Sequence, residues 1–266
     1  MRSLLKSKGP LRPPIAPKPQ APPPPLTARQ VAYDVLREVE TNPKSHADDE
    51  LRRAARRLDS RDAGLAEQIV FGVLRHRAQL DWLIDQRSKH ELDAEIRIAL
   101  RTGIFQLRYL DRIPPHAAVS ETVELVKRAG FRAATGLVNA LLRRTDRSEV
   151  AWPDRATRLS CPEWLIARWE EHFGTEAAEG IARAALEIPT TYHRGERIMD
   201  IGAQSIVPLL DLQPGDTVLD LCAAPGNKTL QCLETEGIHL VAADAVYARL
   251  KQVPVPNRIL LDARRP

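Results

Sequence analysis

The sequence has few cysteines and no long apolar run. Three cysteines occur among its 266 residues, at Cys161, Cys222 and Cys232, and their spacing matches neither a zinc site nor a disulfide framework. No apolar run approaches the roughly 20 residues of a membrane span. These absences predict a chain without a bound metal or a membrane anchor, working in a reducing compartment, the cytoplasm.

The sequence has little excess charge outside its first residues. The formal net charge is +4, but residues 1–26 contain five basic residues and no acid, which leaves 34 basic and 35 acidic residues in the rest. Charge alone therefore argues weakly for RNA binding, although local basic patches remain compatible with it. The same 26 residues are rich in proline, which favours an extended tail over a helix. We expect residues 1–26 to be a disordered, basic tail.

Residues 27–146 show helical periodicity throughout. Apolar residues recur at intervals of three and four, as in the stripe of Ile96, Leu100 and Ile104, and each stripe is one face of an amphipathic helix. Thr27 is a suitable N-cap, and Pro115 suits a first helical turn. The pattern predicts a bundle of about six helices, followed by a helical linker over residues 147–194.

Residues 195–266 have a different pattern, in which short apolar runs end in acids. The run at 217–221, with Val218, Leu219 and Leu221, predicts a strand covered on both faces. A turn at Pro225 and a helix follow, and a second strand ends at Asp244, 24 residues after Asp220. In an open α/β sheet, a ligand carboxylate fits the helix N-terminus after the first strand, and the second acid fits ribose hydroxyls. There is no glycine pattern of the nicotinamide-binding type.

The loop carries a long and specific resemblance. It reads Asp220-Leu221-Cys222-Ala223-Ala224-Pro225-Gly226-Asn227-Lys228-Thr229. This run resembles the cofactor loop of the NOL/NOP/Sun family, the S-adenosylmethionine-dependent RNA (cytosine-C5) methyltransferases. The resemblance implies that the cofactor is bound by Cys222, Ala223, Ala224, Pro225, Gly226, Asn227, Lys228, Asp244 and Asp262.

A second resemblance lies in the helical part. The runs at 71–75, 111–119, 121–127 and 136–144 are similar to the NusB-type RNA-binding domain, which precedes the methyltransferase in Sun-type (RsmB-like) enzymes. Together the two resemblances imply a NusB-like helical bundle followed by a partial Rossmann-like methyltransferase core. They also imply S-adenosylmethionine as cofactor and RNA, of the small ribosomal subunit, as partner.

The chain departs from this family in three places. Family members have several dozen residues that form a small subdomain between the Trp164 region and the strand at Val218, whereas here residues 189–194 lead almost directly into the segment 195–205, which resembles the family's lead-in to its methyltransferase core. Only 18 residues separate Asp244 from Asp262, and the family's Ala-Pro-Cys after the last strand is here Ala263-Arg264-Arg265. We therefore expect a member with internal deletions and a shortened C-terminal end. The family's chemistry needs a cysteine thiolate that adds to C6 of cytosine and activates C5. Because that cysteine is missing, we assign no catalytic residue and expect no methyl transfer by this chain.

Two functions follow as expectations. The first is that of an S-adenosylmethionine-dependent rRNA methyltransferase of the cytosine-C5 class, whose activity in the present chain is doubtful. The alternative is a non-enzymatic, NusB-like RNA-binding module in which the α/β part has no role. Binding of the cofactor distinguishes the two.

Overall fold

The structure, a computed structural model, describes residues 26–88 and 91–265. The predicted tail thus lies almost wholly outside the described residues. The chain divides into two compact units between Glu187 and Ile188, each of which is described by itself below. This boundary lies seven residues before the predicted start of the α/β domain at 195.

The first unit begins with a helical bundle. Its helices are α1 (Ala28–Thr41), α2 (Ala47–Ala55), α3 (Ser60–Arg75), α4 (Arg77–Asp85), α5 (Ala94–Tyr109), α6 (Pro115–Arg128) and α7 (Thr135–Arg143), with a 3₁₀ turn at Arg132–Ala134. The described residues of the bundle thus form seven α-helices, where the sequence predicted about six. The periodicity hides the break at His76, a single residue between α3 and α4 whose backbone leaves the helical region.

The ends of these helices follow the predicted signals. The Gln30 N–H donates to Thr27 Oγ1 (3.2 Å) at the start of α1, and Pro115 occupies the first turn of α6. Such a cap satisfies one of the backbone donors that a helix start leaves unpaired. The caps therefore fix where α1 and α6 begin.

The core of the bundle surrounds α5. Ile98, Leu100 and Ile104 are almost completely buried, and α5 contacts α1, α3, α4, α6 and α7. Arg101 on the same helix is also buried and is paired with Glu40 and with Asp81, whose Oδ1 is 2.7 Å from Arg101 Nε. Two carboxylates offset the cost of removing this guanidinium from water.

Three further helices complete the first unit. They are α8 (Arg155–Arg158), α9 (Glu163–Phe173) and α10 (Thr175–Ala184). Leu159, Ile166 and Ala182 form a small core of their own. Arg155 binds Glu170 (2.7 Å) and Glu163 as well. The helices predicted after residue 147 are thus present and belong to the first unit.

The second unit contains a small parallel sheet. Its elements are the hairpin strands β1 (His193–Arg194) and β2 (Arg197–Ile198), α11 (Ile201–Gln204), a 3₁₀ turn (Val207–Leu210), β3 (Thr217–Asp220), α12 (Asn227–Cys232), β4 (His239–Asp244), α13 (Tyr247–Leu250) and β5 (Arg258–Leu260). The parallel strands lie in the order β3-β4-β5, with Leu219 opposite Val241 and Asp244 opposite Leu260. This order is that of three successive strands in one half of a doubly wound sheet.

One face of this sheet is uncovered among the described residues. Successive right-handed crossovers in one direction place their helices on the same face, where Leu240, Ala242 and Leu250 form the core. On β3 and just after it, Leu219 is 53% and Leu221 41% exposed. The prediction that this strand is covered on both faces is therefore wrong.

Candidate functional site

The loop from Cys222 to Lys228 joins the carboxyl end of β3 to the start of α12. The Ala223 N–H donates to Ala243 O (2.9 Å), so the loop crosses in front of the neighbouring strand β4. Backbone and side-chain groups of two strand ends therefore meet at one edge of the sheet, where open α/β folds bind ligands.

Asp220, the last residue of β3, shapes the first half of the loop. Its Oδ1 accepts a hydrogen bond from the Cys222 N–H (3.3 Å), and its Oδ2 accepts one from Thr229 Oγ1 (2.7 Å). Thr229 is completely buried in α12. The carboxylate thus joins the strand end to the first residue of the loop and to the helix.

Asp244, the last residue of β4, binds the second half of the loop. Its Oδ2 accepts from the Ala224 N–H (3.3 Å) and its Oδ1 accepts from the Val246 N–H (2.9 Å). The residue is 8% exposed. Each carboxylate oxygen has a second lone pair, so Asp244 can hold the backbone and still accept a hydrogen bond from a ligand hydroxyl.

Gly226 is required at the start of α12. Its φ of +110° is one that side chains rarely adopt, and an added Cβ would lie 3.2 Å from Pro254 Cδ. After it, Asn227 Nδ2 donates to Ile198 O (3.0 Å), and an Arg197 guanidinium nitrogen donates to Asn227 O (3.1 Å). The hairpin β1–β2 is therefore joined to the loop by side-chain hydrogen bonds.

The loop encloses a cavity of about 160 Å³. Its walls are the loop itself, Asp220, and residues Ile198, Met199, Asp200 and Ala203 from the hairpin and α11. Sites for whole cofactors usually measure at least about 300 Å³, so the enclosed space suits one part of a ligand. Beyond Asp244, the side chains of Val246 and Tyr247 are exposed and leave the other part open to solvent.

The sequence missed the contribution of residues 198–203. Asp200 lines the cavity and accepts the Gly202 N–H at its Oδ2 (2.9 Å). No periodicity or spacing links this segment to a loop about twenty residues further along the chain. The signal that could have found it is that residues 195–205 resemble the segment that leads into the methyltransferase core of the NOL/NOP/Sun family.

Asp262 is not brought to the loop cavity. Its strand, β5, pairs with β4 on the side opposite to β3, and the Asp262 carboxylate binds Arg264 Nε (3.0 Å). This hydrogen bond holds the pKa of Asp262 below its usual range. The role of Asp262 in binding a cofactor stays a prediction, as do the roles of Asp244 and of the loop residues.

Two of the three cysteines lack the surroundings of an activated nucleophile. Burial raises the pKa of the thiols of Cys161 and Cys232, which disfavours the thiolate. Cys222 is exposed within the loop itself. Over the described ranges, no three His, Cys, Asp or Glu side chains are grouped to hold a metal ion, and no helix is long and apolar enough to cross a membrane.

Comparison with known families divides the chain in the same order as its two units. The NusB family matches residues 26–147. The family described as 16S rRNA methyltransferase RsmB/F matches residues 207–263, which include β3, the loop, β4 and β5. The α/β unit is therefore similar to a segment of a methyltransferase family, whereas the NusB match lies within the helical unit.

Curated relatives combine the two parts in one protein. The probable ribosomal RNA small subunit methyltransferase B of Synechocystis sp. is 26% identical over 300 residues, covering 88% of this chain and 67% of that protein. The small subunit methyltransferases B of Yersinia enterocolitica and Yersinia pseudotuberculosis are 30% and 31% identical, each over 74% of this chain and 58% of their own length. The present chain thus spans about three fifths to two thirds of these relatives.

The fold also agrees with a solved structure. The match to the crystal structure of PH0851 includes 92% of this chain and 71% of the PH0851 chain, with a TM-score of 0.61 and 17% sequence identity. That likeness concerns the fold alone. The chain therefore combines a segment that matches the NusB family with a segment that matches the 16S rRNA methyltransferase RsmB/F family, and it is similar over most of its length to small subunit methyltransferases B.

Proposed function

We propose that this chain binds S-adenosylmethionine at the loop of the α/β unit and small-subunit rRNA through the helical unit, as part of the cytosine-C5 class of rRNA methylation. The observation that carries the proposal is the meeting of Asp220 and Asp244 on the loop Cys222–Lys228. Each carboxylate accepts a backbone N–H of the loop, at 3.3 Å in both cases.

The residues of the loop edge fit parts of the cofactor. The Lys228 ammonium beside the cavity provides charge for the ligand carboxylate, and Asp244 provides an acceptor for ribose hydroxyls. The cofactor supplies an electrophilic methyl group when bound. The enclosed volume would take the amino-acid portion, the ribose would lie at Asp244 outside it, and the adenine would lie against the exposed side of Val246 and Tyr247.

The same proposal assigns no methyl transfer to these 266 residues acting alone. Cytosine C5 becomes nucleophilic only after a thiolate adds at C6. Two of the three thiols have raised pKa values, and the third, Cys222, belongs to the loop that would hold the cofactor. On this proposal the chain binds the cofactor and the RNA but lacks the thiolate that would activate cytosine C5. A ribosomal substrate would place it in the cytoplasm.

Photochemical cross-linking tests the proposal. Methyl-labelled S-adenosylmethionine is irradiated with the full chain, and the labelled peptide is identified by mass spectrometry. We expect label on residues 222–228, removed by excess S-adenosylhomocysteine and not by ATP. Absence of label, or label that ATP removes equally, would contradict cofactor binding and favour the alternative of a helical RNA-binding module. Methylation of small-subunit rRNA by this chain alone would overturn the assignment of no nucleophile.

A further inference from the structure

The cavity beside the loop is lined by two groups of opposite charge that the protein itself leaves unused. Asp200 and Lys228 both stand on its wall. Within the described ranges, the Lys228 ammonium forms no hydrogen bond and no ion pair, with Asp200 or with any other residue. Two charges of opposite sign are therefore open to one small space without neutralising each other.

Only one oxygen of the Asp200 carboxylate has a partner. Asp200 is the N-cap of α11, and its Oδ2 accepts a hydrogen bond from the Gly202 N–H (2.9 Å). Its Oδ1 accepts none from the part of the chain that the structure describes. Asp220 lines the cavity as well, but each of its oxygens already accepts a hydrogen bond, from Cys222 and from Thr229. Asp200 is thus the carboxylate with a whole oxygen left for a ligand.

The wall next to Asp200 is apolar. Ile198, Met199 and Ala203 line the cavity, and Met199 is only 2% exposed. A bare cation at this place would be repelled by Lys228, and a phosphate would be repelled by two carboxylates. A group that carries an ammonium, a carboxylate and a short aliphatic chain matches all three kinds of surface.

We propose that Asp200 and Lys228 form a subsite for the zwitterion of an α-amino acid. The α-ammonium group donates to Asp200 Oδ1, and the α-carboxylate pairs with the Lys228 ammonium. Hydrogen bonds between charged groups are roughly twice as strong as neutral ones. Asp200 therefore determines specificity, because a ligand without the α-ammonium group would leave this carboxylate without a partner.

This inference rests on the proposed function, since S-adenosylmethionine is the ligand that would bring an amino-acid group to the cavity. It adds that recognition of the amino-acid end depends on a residue outside the loop, in the segment between β2 and α11. Compounds that have the adenosine part but no amino-acid group should bind weakly, although Asp244 could still hold their ribose.

Calorimetric titration of the full chain with S-adenosylhomocysteine and two analogues tests the subsite. This ligand has no sulfonium charge, so its zwitterion alone provides ionic contacts; one analogue lacks the α-ammonium group and the other lacks the α-carboxylate. The test variant is Asp200→Asn, which keeps a capping oxygen for Gly202 and removes the charge. The matched control is Asp154→Asn at the N-cap of α8, also a helix of four residues, where the carboxylate accepts the Thr157 N–H (2.7 Å).

We expect the parent chain to bind each analogue about tenfold more weakly than S-adenosylhomocysteine, as for the loss of one charge-assisted hydrogen bond. Asp200→Asn should bind S-adenosylhomocysteine about tenfold more weakly than the parent does, yet bind the deaminated analogue at least as well as the parent. Lys228→Met should lose discrimination against the decarboxylated analogue alone. Asp154→Asn should behave like the parent chain.

Two results would overturn the subsite and leave the proposed function intact. If Asp200→Asn discriminates against the deaminated analogue as strongly as the parent chain, the ammonium group binds elsewhere. If Asp200→Asn weakens all three ligands by the same factor, Asp200 only supports the cavity wall through α11. No binding of S-adenosylhomocysteine by the parent chain would refute the proposed cofactor site itself, and the subsite with it.

Discussion

At the scale of single residues, the described part of the site depends on two carboxylates that hold backbone amides. Asp220 joins β3 to the loop and to α12, and Asp244 joins the end of β4 to the same loop. The sequence indicated correctly that the second strand ends at Asp244, because an apolar run that stops at Asp is visible without a structure, whereas it extended the first strand to Leu221, one residue beyond its end at Asp220. It could not show that both carboxylates already bind the loop, since side-chain partners depend on the tertiary arrangement.

Thr229 provides a direct test of the Asp220 contact. Its hydroxyl donates to Asp220 Oδ2 (2.7 Å) from a fully buried position. We expect Thr229→Val to lower the free energy of unfolding of the α/β unit by about 1–3 kcal/mol, because the carboxylate loses a buried donor. Urea denaturation measures the change. Thr229→Ser keeps the hydroxyl and is the control; a loss as large as that of the valine variant would show that the methyl group, not the hydrogen bond, matters.

At the scale of elements, the sequence predicted which segments are helical and where α1 and α6 begin, but it did not predict which elements pack against one another. Thr27 and Pro115 mark helix starts through local chemistry, which the sequence states directly. The break at His76 and the exposure of Leu219 depend on which neighbours are present. Local rules therefore located the elements, whereas the number of helices and the covered faces of the sheet required the structure.

Two glycines of α3 test how tightly α3 packs on α5. A Cβ added at Gly72 would lie 1.9 Å from Phe105 Cζ, whereas one at Gly64 meets nothing within 4 Å. We expect Gly72→Ala to destabilise the bundle by about 1–3 kcal/mol through overpacking. Gly64→Ala in the same helix should stabilise it by about 0.5–1 kcal/mol, the usual gain in helix propensity. Thermal unfolding distinguishes them, and similar effects of both would refute the close contact.

The junction of α3 and α4 should make the bundle sensitive to pH. Burial lowers the pKa of His76, whose ring stacks on Tyr109 at 4.2 Å and whose Nδ1 lies 2.9 Å from Gln79 Oε1. The unfolded chain therefore binds this proton more readily than the folded chain. Stability attributable to His76 is present above the ordinary histidine pKa near 6.5 and falls as the pH drops below it.

His76→Phe isolates this contribution, because it keeps an aromatic ring on Tyr109 and removes the titrating group. We expect the free energy of unfolding of the parent chain to fall more steeply between about pH 6.5 and 5 than that of the variant. Denaturant titrations at several pH values give both slopes. Parallel slopes would show that other groups dominate the pH dependence in this window.

At the scale of the whole molecule, the resemblance to the two families and the order of fold types were predicted correctly. The expected NusB-like bundle and Rossmann-like core are confirmed by the two family matches and by the fold. The resemblance succeeded because Asp220–Thr229 is a long, specific run, whereas bulk charge gave only weak evidence for RNA binding. Averaging over the chain conceals that residues 112–147 contain seven Lys and Arg against three Asp and Glu. The size of the cavity, about 160 Å³, could not be predicted, because it depends on which walls surround the loop.

Calorimetric titration of the full chain with S-adenosylmethionine tests the central claim most directly. Three proteins are compared: the parent chain, Asp244→Asn, and Asp216→Asn, in which the altered carboxylate binds the Gln213 N–H (2.8 Å) before β3 begins. We predict binding by the parent, a loss of roughly tenfold or more in Asp244→Asn because a charged acceptor is removed, and no change in Asp216→Asn. No heat of binding with the parent chain, or equal affinity in all three folded proteins, would contradict the account.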